Sequence, residues 1–399
     1  MCKLPTSLSN LREKEREKKS MPYTVATLPD LEEAHLRCYF IFDVADSIKL
    51  SLLKTVKGKD FVPEPLSFTD VPLPGYIQFS VAPLAAALKA VPTPFGELEC
   101  RVKVYEYGTV SIRFSRPFQG TFQEFRSLAM KMRLSKELMT CATHMLEEVL
   151  SELKPALSKP HEESQQKDLL EDYYVAEVQR FSTPLTATEL MQEHRAAIAS
   201  LVSLEEKGLS AMQIDEALKE AYSYCEHELA VLTWDQAFIY DDQAGAAAVN
   251  SIIEFANTQL VELRTYDRLL DRHLDEIYRV KTERLRTSLF QSFTSGRLTA
   301  ERQAERLRHL LVDVRELSDR ATNAIKIIGC AYYARLYGGI SQRLSLAQWQ
   351  AQVESKLDSV GELYRFANDQ AELARSEFLE IIVILLIALE VLIGIFGRH

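Results

Sequence analysis

Three aspartates, Asp267, Asp271 and Asp275, recur at i, i+4 and i+8, with Arg264, Arg268 and Arg272 interleaved at the same interval. On a helix this spacing places the carboxylates in one row and the guanidiniums in an adjacent one. Such a row can hold a divalent cation or meet a polar partner. It can equally lock the register of packed helices, with Asp267 paired to an arginine at a core slot, and this simpler reading is the favoured one. Tyr266, Asp267 and Asp271 are still the leading candidates for a functional surface, because packing alone does not ask for acids there.

A second constellation is basic. Arg279, Lys281, Arg284 and Arg286, with Arg302 and Arg306 further on, fall near one end of two successive helical runs. The cluster could touch RNA or anionic lipid headgroups, or it could be a solvated helix end diluted by Glu283, Glu301 and Glu305. The third lies in the apolar tail, where Glu390, Gly394 and Gly397 fall at i, i+4 and i+7. Small residues allow helices to approach closely, and an acid at membrane depth seeks a protein partner, so the stripe reads as an oligomer contact. A neutral Glu390 with no partner fits it as well.

Other chemistry finds little support. The phosphate-cradling and dinucleotide glycine loops, the His-Glu-x-x-His zinc motif and the Gly-x-Ser-x-Gly elbow do not occur. A di-iron bundle needs two Glu-x-x-His motifs, and Glu32-x-x-His35, far from any bundle, reads as chance. The six cysteines are scattered without a Cys-x-x-Cys pair, which suits reduced, mostly buried thiols. No catalytic, cofactor-binding or metal-ligating residue is expected, and the chain reads as non-enzymatic. A net charge of −10 argues against a broad nucleic-acid surface.

The elements that must position these residues divide the chain. Residues 1–33 read as a flexible tail: they carry acids and lack the apolar core of a signal peptide. Residues 34–244 read as a mixed α/β domain. Its strands are expected over 36–42, over the hairpin 98–106 and 109–114 turning at Gly108, over 172–181, and over 229–240 as a strand or strand pair. Helices are expected near 46–56, 84–91, 121–133 and 135–154, and after the capping boxes Thr186/Glu189 and Ser210/Gln213. A further strand is expected near Tyr76–Phe79, and 155–168 as a polar loop. From 245 to 378 apolar residues recur three and four apart in three runs, which predicts a long antiparallel three-helix, coiled-coil-like bundle. Residues 379–397 then read as a single transmembrane helix. Its seventeen-residue core, 381–397, carries Glu390 as its one charge, and the sum of its apolar insertion energies exceeds the cost of that acid. The fold class expected is thus α+β: an N-terminal α/β domain, the bundle and the anchor.

The run from Glu254 to Tyr278 resembles the signature of the "required for meiotic nuclear division" family, which includes the fission-yeast septation-initiation-interacting proteins. Thr233–Asp241, Ala324–Gly329 with Tyr333–Arg335, and Trp349 with Phe378–Glu380 are similar to other parts of its pattern. The likeness covers about 225–397 and is weak before it. It implies a C-terminal membrane helix, no established enzyme activity, and in mitochondrial members support of translation at the inner membrane. The absence of a transit-peptide pattern here suggests a bacterial relative. No functional residue carries over, since the family pattern defines none. The function expected is a membrane-tethered scaffold, tail-anchored at the cytoplasmic face of a bacterial inner membrane. The alternatives are a translation-linked factor holding ribosome or RNA, and an enzyme with an unrecognised site in the α/β domain. The partners expected are the lipid bilayer, a second copy of the chain, and ribosome or RNA; the sequence identifies no small-molecule substrate.

Overall fold

A computed structural model describes residues 27–53, 60–64, 82–161, 169–205, 208–284 and 331–362, with Arg365, Glu380, Val383, Ile384, Leu386 and Ile387. In chain order the strands are β1 (Leu31–Asp43), β2 (Ala45–Ile48), β3 (Val62–Pro63), β4 (Leu84–Thr93), β5 (Gly96–Val104), β6 (Thr109–Gly120), β7 (Leu157–Pro160), β8 (Leu170–Phe181), β9 (Ala221–Tyr222), β10 (Leu229–Leu232) and β11 (Gln236–Tyr240). The helices are α1 (Leu50–Leu53), α2 (Phe122–Arg133), α3 (Lys136–Leu153), α4 (Ala187–Glu193), α5 (Arg195–Val202), α6 (Ala211–Ala217), α7 (Gln243–Arg284) and α8 (Ala331–Arg343). A further helix, α9, covers 346–362.

One sheet organises these elements, in the order β3-β4-β5-β6-β1-β8-β11-β10-β9; β2 and β7 form a small separate pair. Every pairing in the large sheet is antiparallel except β8 with β11. β1 is central because both of its faces are apolar. Leu36, Cys38, Phe40 and Phe42 point to one core, and Tyr39 and Ile41 to another. A strand covered on both faces reads as a continuous apolar run rather than an alternation, as residues 36–42 do. The first core is closed by α2–α5, through Phe122, Phe125, Leu138, Leu146, Leu190 and Ile198. The second is closed by α7, α8 and α9.

The β5–β6 hairpin forms as its alternation predicts. Gly108 has a φ of +94°, and a Cβ there would overlap the backbone carbonyl of Ala45, so the turn requires glycine. Thr121/Glu124 and Thr186/Glu189 make reciprocal capping boxes, opening α2 and α4. Local expectations fail at several places. β1 begins at Leu31, inside the expected tail, and the helix expected near 46–56 gives way to β2, which pairs with β7, and the single turn α1. Residues 84–93 are a strand, not a short helix: the alanine-rich run is a good helix former, but it pairs with β5 from Leu84↔Val104 to Thr93↔Gly96 and so covers that edge. The helix expected after Thr186/Glu189 breaks at His194 into α4 and α5. The loop expected at 155–168 contains β7, which pairs with β2. The strand expected at Tyr76–Phe79 lies outside the described residues.

The expected fold class needs correction. The first helix of the expected bundle, α7, lies across the second face of the sheet for much of its length. Val249, Ile252, Ile253 and Ala256 join Tyr39, Val175, Ala237 and Ile239 in one core. The physical reason is that helix–helix and helix–sheet packing both ask for apolar residues three and four apart, so periodicity does not say which partner the stripe meets. The molecule is a mixed α/β fold on one large sheet, with α8 and α9 packed beside α7; the run expected as the middle bundle helix lies outside the described residues. The membrane helix is also corrected. Among the described residues no helix is long and apolar enough to cross a membrane. As one helix, 381–397 would span about 26 Å at ~1.5 Å per residue, short of a ~30 Å hydrocarbon core, and would carry Glu390 into it. Glu390, Gly394 and Gly397 lie outside the described residues. The tail-anchored, single-pass placement at an inner membrane is therefore withdrawn.

Candidate functional site

The second face of the sheet is apolar where β8, β11 and β10 meet α7, but charged over β5, β6 and β1. The ladders fix the arrangement. Arg101 on β5 pairs with Arg113 on β6, which pairs in turn with Tyr39 on β1. One row along, Glu99, Ser115 and Arg37 are registered; on the other side, Lys103 and Ser111 face Ile41. Side chains two apart share a face, so Arg101, Lys103, Ser111, Arg113, Ser115 and Arg37 line one surface. The opposite surface of the same hairpin, Leu98, Cys100, Val102, Val110, Ile112 and Phe114, belongs to the first core.

Two ion-pair networks tie this surface to α7. Lys103 Nζ donates to Glu254 Oε2 at 2.6 Å and lies 2.7 Å from Glu64 Oε1, with Arg101 paired to the other oxygen of Glu64. Burial works against the Lys103 charge, but the Glu254 and Glu64 carboxylates outweigh it and hold the ammonium protonated above its ordinary range. Around Glu177, the Arg37 guanidinium donates twice, at 2.7 and 2.8 Å, and Gln179 and Asn250 each donate at 2.7 Å. Tyr39 donates to Asn250 Oδ1 at 2.9 Å, joining sheet to helix. Burial alone would raise the Glu177 carboxyl, and the Arg37 hydrogen bonds pull it below its ordinary value. His35 is shifted down by burial and by Arg37, so it is neutral near pH 7. At the far end Asp43 and His161 pair at 3.2 Å, and Tyr107 and Thr258 share a hydrogen bond of 2.8 Å.

Between the networks lie polar atoms with no such partner. The hydroxyls of Ser111, Ser115 and Tyr105 and the Nε atoms of Arg101 and Arg113 are buried and have no hydrogen-bond partner among the described residues. Buried polar groups are almost always satisfied, so several orphans on one face mark a place for something polar. Arg101 and Arg113, directly opposite one another, place like charges where a pair is ordinarily unfavourable. Two guanidiniums flanked by hydroxyl donors suit a carboxylate or phosphate.

The residues singled out in the sequence lie elsewhere. Lys356 on α9 bridges Asp267 at 2.7 Å and Asp271 at 2.6 Å, and Gln352 donates to Asp267 at 2.8 Å. A lysine thus stands where a divalent ion would, and Arg264 pairs with Glu171 on β8 rather than with the aspartate row. Tyr266 packs against the second core, and Arg268, Arg272 and Asp275 lie on the same helix. Among the described residues no group of three or more His, Cys, Asp or Glu could hold a metal ion. Arg279, Lys281 and Arg284 fall in the last turns of α7; Arg286, Arg302 and Arg306 lie outside the described residues. Glu32 pairs with Arg180 while His35 approaches Glu177, so the Glu-x-x-His match divides between two partners. Sequence reasoning missed Arg101, Arg113, Ser111, Ser115, Lys103 and Glu254. The available signals were cationic positions on both arms of one hairpin and the polar residues Asn250, Glu254, Asn257 and Thr258 within an otherwise apolar helix.

Fold and site together define a mixed α/β protein whose sheet carries a charged face beside a long covering helix. Over residues 33–248, more than half its length, the chain matches the family described as the N-terminal domain of uncharacterized protein MJ0711, and it belongs to that family. It is 23% identical over 226 residues to uncharacterized protein MJ0711 of Methanocaldococcus jannaschii, an alignment covering 57% of this chain and 66% of that protein. No solved structure matches the chain. The matched span takes in the described strands of the sheet, β1 from its third residue on, and the start of α7. It ends before the Glu254–Tyr278 run and overlaps the wider meiotic-division likeness only up to residue 248.

Proposed function

We propose that this chain is a non-catalytic binding protein for an acidic small molecule, held on the charged face of the sheet beside α7. The supporting observation is the registered pair Arg101 and Arg113, flanked by the unpartnered hydroxyls of Ser111 and Ser115. Lys103 is neutralised by two glutamates and serves the fold, whereas Arg113 has no ion pair among the described residues and is the cation left for a ligand. Phosphate or carboxylate oxygens would take the Arg113 guanidinium and the Nε of Arg101, whose terminal nitrogen is already held by Glu64, and the serines would donate to the remaining oxygens. The test is thermal denaturation and calorimetric titration of the full chain with inorganic phosphate, pyrophosphate and citrate. A ligand that binds only the folded state raises the melting temperature in proportion to its occupancy. At least one of the three is expected to do so, and Arg113→Met is expected to weaken it by tenfold or more. No shift with any of them, or equal binding by Arg113→Met, would remove the proposal.

A further inference from the structure

A second unsatisfied site lies at the other end of the sheet, where α8 crosses β10. The β10–β11 ladder closes on Leu229↔Tyr240, so Glu228 and Asp241 stand opposite each other just beyond it. Asp241 is buried. Its Oδ1 accepts from the Asp242 backbone amide at 2.7 Å, and no cation pairs with it among the described residues. Gly245, in the first turn of α7, makes room for this carboxyl, because a Cβ there would overlap both oxygens. The Cys225 backbone amide donates to Glu228 at 3.2 Å.

Tyr332, which feels both acids, packs against two further aromatic rings. Tyr224 and Tyr332 lie 5.6 Å apart between centroids, and Tyr332 and Tyr333 5.1 Å apart. Tyr224 is 65% exposed and forms the rim, whereas Tyr332 is 3% exposed. The Tyr332 hydroxyl is buried with no hydrogen-bond partner among the described residues, and after burial itself the charges it feels most are Asp241 and Glu228. The groups facing Asp241 are acidic as well: Glu228, Asp242 and Glu177. The cation whose charge acts on Tyr332 is Arg335, an exposed residue on the same helix that pairs with neither acid among the described residues.

We infer that Asp241, Glu228, Tyr332 and Tyr224 form a binding site for a small alkylammonium ion. Paired carboxylates accept its N–H donors, the buried hydroxyl supplies one further polar contact, and ring faces attract a cation that has shed water. A hard divalent metal is disfavoured, since it needs six or more oxygens and gains nothing from the rings. This site is separate from the one on the β5–β6 face and does not depend on it. Binding draws a proton off Asp241, so affinity rises with pH as the carboxyl ionises.

The experiment is calorimetric titration of the full chain with butylammonium and, in parallel, tetramethylammonium chloride at matched ionic strength, at pH 6 and pH 8. Butylammonium is expected to bind saturably, at least fivefold more tightly at pH 8 and more tightly than tetramethylammonium. Tyr224→Ala, at an exposed position, should weaken it at least fivefold, and Asp241→Asn at least tenfold, with circular dichroism unchanged in both. Arg335→Gln should bind as well as wild type or better. No saturable heat at pH 8, stronger binding of tetramethylammonium, or wild-type affinity in both the Tyr224 and Asp241 variants would overturn the assignment.

Discussion

Lys103 on β5 and Glu254 on α7 form an ion pair at 2.6 Å, and their side chains are 7% and 5% exposed. It joins the charged half of the sheet to the helix above it. A buried pair of this kind adds little net stability compared with apolar residues of similar volume, but losing one member leaves a bare charge. Lys103→Met should therefore cost about 3–5 kcal/mol in urea denaturation, and Lys103→Met with Glu254→Leu should recover most of that loss. A double variant as unstable as the sum of the singles would show that the two do not act as a pair.

Arg113 should behave oppositely. It faces Arg101 across the ladder, so Arg113→Met relieves a like-charge contact. Its unfolding free energy without ligand should be unchanged or raised by up to ~1 kcal/mol, even as phosphate or citrate binding falls. A clear loss of stability would assign Arg113 to the scaffold.

Glu177 carries a pH signature. Its ordinary value is 4.5, and the folded state holds it lower. Its contribution is complete above the unfolded value and is lost as pH falls through the folded one. Glu177→Gln should be less stable than wild type at pH 7, with the gap closing in acid denaturation below pH 4.5. A gap independent of pH would place its cause in packing rather than charge.

Asp241 runs the other way. Burial first, and then Glu228, raise it from an ordinary 3.8 to about 7. The folded state holds the proton more tightly than the unfolded state, so stability falls as pH climbs from 3.8 towards 7 and levels off above. Asp241→Asn should match wild type near pH 4 and exceed it at pH 8 by about 2 kcal/mol, a figure reduced for partial solvent screening. Equal stability at both pH values would mean that the carboxyl is solvated.

Gly245 tests the same contact sterically. Ala in place of Gly within a helix usually adds up to ~1 kcal/mol, but here the new Cβ would overlap the Asp241 carboxyl. Gly245→Ala should destabilise the wild type and be tolerated in an Asp241→Ala background. Thermal melts of the four proteins in that cycle decide it.

Much of the scaffold was legible in sequence, because its signals are local. The alternation over 98–104, Gly108 in the turn and the Thr-x-x-Glu boxes each encode their element within a few residues. What covers what was not legible. Residues 84–93 carry helix-forming alanines, and only the open edge of β5 makes them a strand. The stripe on α7 was read as a helix seam although part of it meets the sheet. The same gap hid the site. Arg101, Lys103 and Arg113 look like the wet side of a hairpin until a helix 150 residues later supplies Glu254 and a roof. The aspartate row was conspicuous because its spacing is regular, yet Lys356, which fills it, lies in a different helix.

The placement of β1 also bears on how the protein is made. Its two neighbours come from residues 109–120 and 170–181, and β8 takes its parallel partner only from 236–240. β1 leaves the ribosome before either neighbour, and neither of its edges can be dressed until a later segment emerges. Until then the bare strand is a template for pairing between nascent chains. Fragments ending before β8 should collect in inclusion bodies, however sound their hairpin and helices.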